Sequence, residues 1–235
     1  MQDWVAWHSS YDDPASPLRA RLDHVTFHLR RTLNEAAPGP IRLLSLCAGQ
    51  GRDVLEVLPG HPRERDVVAL LVEADNQNAD LARRAAADAG LRQVRVREAD
   101  AGVVASFADA LPVDVLLLAG IFGNVCNADI KRTIDAAPAF CALGATVIWT
   151  RHRRPPDLTG FMLAWFASAG FEEVAFDELE SQYLATVGVH RLARRSAGRL
   201  PATGQPLFRF GSHRADPGRL SAPSAILDDL DRSGS

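Results

Sequence analysis

The sequence predicts an α/β fold: a doubly wound, mostly parallel seven-stranded sheet with helices on both faces and an antiparallel hairpin at one edge. Three observations predict it. From residue 41 onward, short apolar runs alternate with segments of helical spacing, which is the pattern of βαβ crossovers. Runs such as Val113-Asp114-Val115-Leu116-Leu117-Leu118-Ala119 are apolar at consecutive positions, as strands covered on both faces require. The last two strand-like runs, near 171–177 and 183–191, have no helical pattern between them, so they pair as a hairpin.

The elements follow in chain order. Trp4-Val5-Ala6-Trp7-His8 leads to a proline-containing turn, Asp12-Asp13-Pro14-Ala15-Ser16-Pro17, in which Ser16 suits a helix N-cap and Pro17 the first helical position. Leu18, Leu22, Val25, Leu29 and Leu33 then recur at helical spacing and predict a helix over 17–34 that packs one face on the body. His24 and His28 lie four apart on it, a spacing compatible with metal binding. No third ligand is evident, so the pair reads as a partly exposed helical face. Pro38-Gly39-Pro40 ends this prelude. The core is predicted as strand 41–47, helix 51–58, strand 67–73, helix 76–89, strand 94–98, helix 102–109 and strand 113–119. Helix 127–137, strand 144–149, helix 157–169 and the hairpin complete it, with His190 in the final strand reading as a structural histidine. Beyond Arg194 the composition shifts to Arg, Ser, Gly and Pro around one strand-like piece, Leu207-Phe208-Arg209-Phe210, and poor order is expected from Ser212. The division is a lid segment and helix over 1–40, a catalytic domain over 41–195 and an extension over 196–235.

The most informative stretch is Leu43-Leu44-Ser45-Leu46-Cys47-Ala48-Gly49-Gln50-Gly51-Arg52-Asp53, where an apolar strand runs into a glycine-containing turn that opens a helix. Glycines at 49 and 51 let the backbone approach a ligand, and the first amides of the helix stay free to donate hydrogen bonds. The next apolar run, Val67-Val68-Ala69-Leu70-Leu71-Val72, ends in Glu73-Ala74-Asp75, where a carboxylate can accept both hydroxyls of a ribose. A dinucleotide fingerprint requires a third small residue beyond the second glycine. Val54 stands there instead.

At these residues the chain resembles the Rossmann-like, class I S-adenosylmethionine-dependent methyltransferases. Their first motif has the form hydrophobic-Asp-hydrophobic-Gly-x-Gly-x-Gly, and their second ends in an acid. Ser45 stands where the family has Asp and Cys47 where it has its first glycine, while Gly49 and Gly51 match; the resemblance spans roughly residues 41 to 191. It implies S-adenosylmethionine as cofactor, with Cys47, Ala48, Gly49, Gln50, Gly51 and Asp53 along its amino-acid and ribose parts. Glu73, beside Ala74, is the ribose acid, with Asp75 the alternative. Asp100, beside Ala101, receives the adenine amino group or caps a helix, or does both. The fourth strand's exit, Gly120-Ile121-Phe122-Gly123-Asn124-Val125, is the place of the methyl acceptor: Gly120 allows close approach, Phe122 offers a π face and Asn124 orients the acceptor. Trp149-Thr150-Arg151-His152-Arg153-Arg154-Pro155-Pro156 reads as a cationic loop in which Arg151 and His152 clamp a carboxylate or phosphate. Trp7, His8 and Tyr11 form a lid, or Trp4 and Trp7 only staple the first helix. If a base is needed, His152 or His8 serves, with Tyr11 orienting the nucleophile. A side chain at position 51, as in Gly51→Val, is expected to fill ligand space and spare the fold.

Composition narrows the partners. With 235 residues and 47% hydrophobic content the chain can bury one sizeable core. A formal charge of -3, from 29 acidic and 26 basic residues, provides no footprint for a nucleic acid. Lys131 is the only lysine, and Cys47, Cys126 and Cys141 have no metal-ligand spacing, so no metal is expected. With no apolar N-terminal run, the expectation is a cytoplasmic protein with no membrane partner, monomeric or homodimeric, acting on a small molecule, an anionic one if the basic loop clamps it. Two other readings remain open: a nicotinamide-dependent oxidoreductase, against which Val54 and the edge hairpin weigh, and a non-catalytic nucleotide-binding module, which the Ser45 and Cys47 departures favour.

Overall fold

The computed structural model describes residues 9–179, 184–195, 198–202 and 204–211. Trp4, Trp7, His8 and the tail from Ser212 lie outside them.

Ser16 accepts a hydrogen bond from the Leu18 amide and opens α1 (Pro17–Glu35). The strands are β1 (Ile41–Leu46), β2 (Val67–Glu73), β3 (Val94–Glu98), β4 (Val113–Leu118), β5 (Cys141–His152), β6 (Phe171–Glu178) and β7 (Ala185–Leu192). Between them lie α2 (Arg52–Leu55), α3 (Asn76–Asp88), α4 (Asn127–Phe140) and α5 (Thr159–Ser168). The sheet order is β3-β2-β1-β4-β5-β7-β6, parallel from β3 to β5, with β7 antiparallel to both its neighbours.

Alternation along the strands divides the core in two. Leu44, Leu46, Leu70, Val72, Leu116, Leu118, Val147 and Trp149 face α4 and α5, meeting Ile130, Ile134, Phe140, Met162 and Phe166. Leu43, Ala69, Leu71, Val115, Leu117, Ile148 and Val187 face the other way, toward Val25, Leu29 and Leu33 of α1, Val54 of α2 and Ala86 of α3. Every central strand is therefore apolar at successive positions, because both of its faces are covered. Val54, the bulky residue that breaks the dinucleotide pattern, is fully buried in this second layer. On the α1 side, His24 Nδ1 and His28 Nε2 both lie 2.7 Å from Asp177 Oδ2 on β6. The histidine pair thus ties the helix to the edge strand through a shared carboxylate.

Some elements differ from the expected ones. The helix expected over 51–58 is only Arg52–Leu55, after which Val57 and Leu58 turn into the core. The helix expected over 102–109 is two short 3-10 turns, Val104–Ser106 and Ala108–Ala110. There the Gly102 carbonyl accepts from the Leu207 amide, and Phe107 must reach the core, so a continuous helix is displaced by long-range contacts. The strand expected over 144–149 runs from Cys141 to His152, because Thr150, Arg151 and His152 pair with Val187, Thr186 and Ala185. Arg151 and His152 are thus strand residues and not loop residues. Leu207-Phe208-Arg209-Phe210 joins no sheet; it crosses the body as an irregular strap whose Leu207 and Phe208 are buried.

Candidate functional site

The carboxyl ends of β1 to β4 open onto a cavity of ≈ 390 Å³, with α1 as its opposite wall. Open parallel sheets place ligands at strand ends, and this volume suits a small molecule. The β1 turn is built with Cys47, Gly49 and Gly51 at φ 51°, 55° and 69°. Its own bonds run from the Gly51 amide to the Ala48 carbonyl (2.8 Å) and from the Ala48 amide to the Val72 carbonyl (3.0 Å). A cysteine in left-handed backbone costs about 1–2 kcal/mol, which the surrounding packing must offset. The departure at Cys47 therefore leaves the turn formed. Burial, with the Glu73 and Asp100 carboxylates nearby, holds the Cys47 thiol well above its ordinary value, so it stays protonated.

Glu73 is the hub. Its Oε2 accepts from the Gly49 amide at 2.7 Å and its Oε1 from the Asp75 amide at 2.8 Å, so one carboxylate couples the β1 turn to the β2 exit. Burial raises its pKa, while those amide bonds pull it back down. Asp75, the alternative ribose acid, accepts from the Asn78 amide at 2.9 Å and is the N-cap of α3. Asp100 accepts from the Gly102 amide at 2.7 Å and also lines the cavity, so it caps a turn and faces the ligand space at once. Burial pushes Asp53 up to about 6. On the α1 side, Arg21 donates to the Tyr11 hydroxyl at 2.6 Å, while the Arg52 guanidinium sits 5.7 Å from the Tyr11 ring centre and pairs with Asp12 at 2.6 Å.

At the β4 exit, the Gly120 amide donates to Thr150 Oγ1 at 2.8 Å, and Asn124 Nδ2 donates to the Gly120 carbonyl at 2.7 Å. Asn124 thus commits an amide N–H to the β4 turn while lining the cavity.

The cavity wall brings together Tyr11, Cys47, Ala48, Gly49, Asp53, Glu73, Ala74, Asp75, Asp100, Ala101, Gly120 and Asn124 of the residues expected from sequence. Others are placed elsewhere. The Phe122 ring is fully buried beside Trp149 (6.1 Å between centroids) and does not line the cavity. Arg151 lies buried beneath the same loop and donates to the Phe122 carbonyl, and burial lowers its pKa. A Cβ on Gly123 would meet the His152 ring at 3.4 Å, so His152 lies close to the loop backbone and is not among the described residues of the cavity wall. The reason is the extended β5, which carries both residues onto the sheet. Gln50 accepts from Arg52 and donates to Asn78, both at 3.2 Å, outside the wall. Gly51 faces inward: a Cβ there would lie 2.8 Å from Leu71 Cδ1 and 3.3 Å from Leu55 Cδ1. Replacing it therefore fills core space and not ligand space, which corrects the expectation for Gly51→Val.

Sequence reasoning missed Arg21, Leu22 and Val25 on α1, Asn78 on α3, and Phe210 on the strap as wall residues. Leu22 and Val25 carried a signal, but it read as core spacing; Phe210 carried none beyond its apolar context.

No protein-family model and no curated protein matches the chain. Its structure is similar to magnesium protoporphyrin IX methyltransferase (ChlM) from Synechocystis PCC 6803 with bound S-adenosylmethionine, at TM-score 0.60 and 9% identity over 79% of this chain and 88% of that one. It is also similar to the CurJ carbon methyltransferase, at TM-score 0.59 and 17% identity, covering 72% of this chain but only 54% of that one. An O-methyltransferase family protein from Burkholderia thailandensis matches at TM-score 0.54 and 16% identity, over 82% of this chain and 63% of that one. At such identities the likeness is one of fold. This chain has the Rossmann-like methyltransferase fold.

Proposed function

We propose that this chain, built on the Rossmann-like methyltransferase fold, is an S-adenosylmethionine-dependent methyltransferase that acts on a small-molecule acceptor. The observation that carries the reading is Glu73, a carboxylate at the β2 end, lining the cavity while it accepts from the Gly49 amide of the β1 turn. Such an acid suits the two hydroxyls of a ribose. Asp53 and Arg21, of opposite charge on one wall, match the zwitterionic amino-acid end of the cofactor, and Asp100 its adenine amino group. The buried Val54 and the antiparallel β7 inserted between β5 and β6 weigh against a nicotinamide enzyme.

When bound, S-adenosylmethionine would supply an activated methyl group, its carbon–sulfur bond breaking with the electron pair left on sulfur as an acceptor lone pair takes the methyl carbon, and any proton released by the acceptor would pass to solvent. The chain's own residues supply position. The Asn124 amide oxygen accepts an N–H or O–H of the acceptor and points its lone pair into the cavity. Arg151 holds the loop that carries Asn124 through the Phe122 carbonyl, and His152 lies against it at Gly123, so their contribution is to positioning. Tyr11, fixed by Arg21 and Arg52, closes the α1 side against water.

Titration calorimetry with S-adenosylhomocysteine tests the cofactor assignment: the wild type binds, Glu73→Ala does not, and no heat at roughly 1 mM ligand overturns the proposal. Radiolabelled methyl transfer across an acceptor panel then separates an enzyme from a binding module. The proposal carries with it a cytoplasmic location without nucleic-acid or membrane partners; among the described residues no helix is long and apolar enough to cross a membrane.

A further inference from the structure

The strap over residues 204–211 is fastened far more firmly than a mere tail requires. The Leu207 amide donates to the Gly102 carbonyl at 2.7 Å, the Arg209 amide to Asp129 Oδ2 at 2.9 Å, and the Gly211 amide to the Asn124 carbonyl at 2.7 Å. Asp129 is only 6% exposed, and its other oxygen accepts from Arg132 at 2.6 Å. The same Arg132 nitrogen reaches the Pro206 and Leu207 carbonyls, each at 3.3 Å. A Cβ on Gly102 would lie 2.2 Å from the Phe208 carbonyl oxygen, so the strap's path requires a residue without a side chain there. Leu207 and Phe208 are buried, yet the next aromatic, Phe210, remains 41% exposed and lines the same cavity as Asp100, Ala101, Gly120 and Asn124.

We propose that Phe210 is the stacking platform for the adenine ring, and that the strap is a clamp on the nucleoside end of the ligand. This rests on the reading of the cavity as an S-adenosyl site. Three features point the same way. Phe210 lines the same cavity as the Asp100 carboxylate, which suits an exocyclic amine, and the strap passes over Gly102, whose amide donates to Asp100. Ala101 and Gly120 offer no bulk, which leaves room for a flat ring against the phenyl face. Phe122, whose π face the sequence offers to the adenine or to the sulfonium, is sealed in the core. The clamp joins the β3 exit, through Gly102, to the β4 exit, through Asn124, so the same segment that covers the base also braces the loop that faces the acceptor.

Calorimetry with S-adenosylhomocysteine and with adenosine tests this on the full chain. Phe210→Ala raises the Kd of both ligands about tenfold, the scale of one lost base–aromatic stack, and Phe210→Tyr stays within about threefold of the wild type. Both variants are compared well below their own ligand-free melting temperatures, so that a loss of folding is not read as a loss of binding. Undiminished binding of both ligands by Phe210→Ala overturns the inference. So does a loss confined to S-adenosylhomocysteine, which would put the ring at the amino-acid end. A wild type that binds neither ligand removes the cofactor reading itself, and the clamp with it.

Discussion

Glu73 shows how one side chain organises two loops. Both of its oxygens accept backbone N–H groups, and an amide in its place presents N–H to N–H at one of them. Glu73→Gln is therefore expected to destabilise by about 1–3 kcal/mol and to weaken S-adenosylhomocysteine at least tenfold, read by urea unfolding and calorimetry. Equal stability and affinity would show that the β1 turn stands without it. Gly51 makes the opposite case. Its φ of 69°, with a Leu71 methyl 2.8 Å from where a Cβ would stand, makes Gly51→Val a folding defect of about 2–3 kcal/mol or more. Ligand binding survives in whatever fraction folds; a fully stable variant that fails to bind would restore the ligand-filling view.

Among the elements, α1 does two tasks along one apolar stripe, its first turns at the cavity and its later turns on the sheet. Val25, Leu29 and Leu33 pack on the sheet, while Arg21, Leu22 and Val25 form cavity wall. Its position along the sheet is pinned by His24 and His28 on Asp177 of the edge strand, with His28 buried and His24 half-exposed. Asp177→Ala leaves the buried His28 nitrogen without its carboxylate, at a cost of about 1–3 kcal/mol. Hydrogen exchange reads the outcome: α1 amides lose protection before those of β1, and S-adenosylhomocysteine binds more weakly. Unchanged α1 protection would mean that apolar packing alone seats the helix. In the hairpin, Trp149 lies across Gly188, where a Cβ would fall 2.2 Å from the indole, so the antiparallel edge is fitted to the core through a missing side chain.

For the whole molecule, two buried groups pull stability in opposite directions with pH. His190, stacked 4.3 Å from Phe166 and 6.0 Å from Trp149, is pushed by burial down to about 4. Its neutral form is native, so its contribution is intact above the unfolded value of 6.5 and is lost as pH falls toward 4, by about 3 kcal/mol in all. Asp53, pushed up to about 6 from 3.8, does the reverse: the folded state holds the proton longer, and stability falls by about 3 kcal/mol as pH rises through that window. Glu73, also raised by burial, acts in the same sense as Asp53. Urea titrations between roughly pH 4 and 6.5 separate the two. Relative to the wild type, Asp53→Asn gains stability as pH rises, and His190→Phe gains as pH falls. Parallel profiles for all three proteins would contradict the burial of both groups.

Local patterns in the sequence specify the sheet, the chain order of its strands and most of its helices, and the turn that lines the cavity. Those are local quantities: periodicity two or 3.6, consecutive apolar positions, a Ser-Pro cap, glycines at 49 and 51, an acid ending an apolar run. Its readings failed where distant segments compete for the same backbone or the same space. Residues 102–109 have the composition of a helix, but the strap takes the Gly102 carbonyl. Arg151 and His152 have the look of a cationic loop, but β7 extends the ladder past them, and Phe122 turns to the core while Phe210, far along the chain, takes the cavity. Which aromatic lines the cavity is fixed by packing between segments far apart in the chain, and no pattern within either segment carries that information.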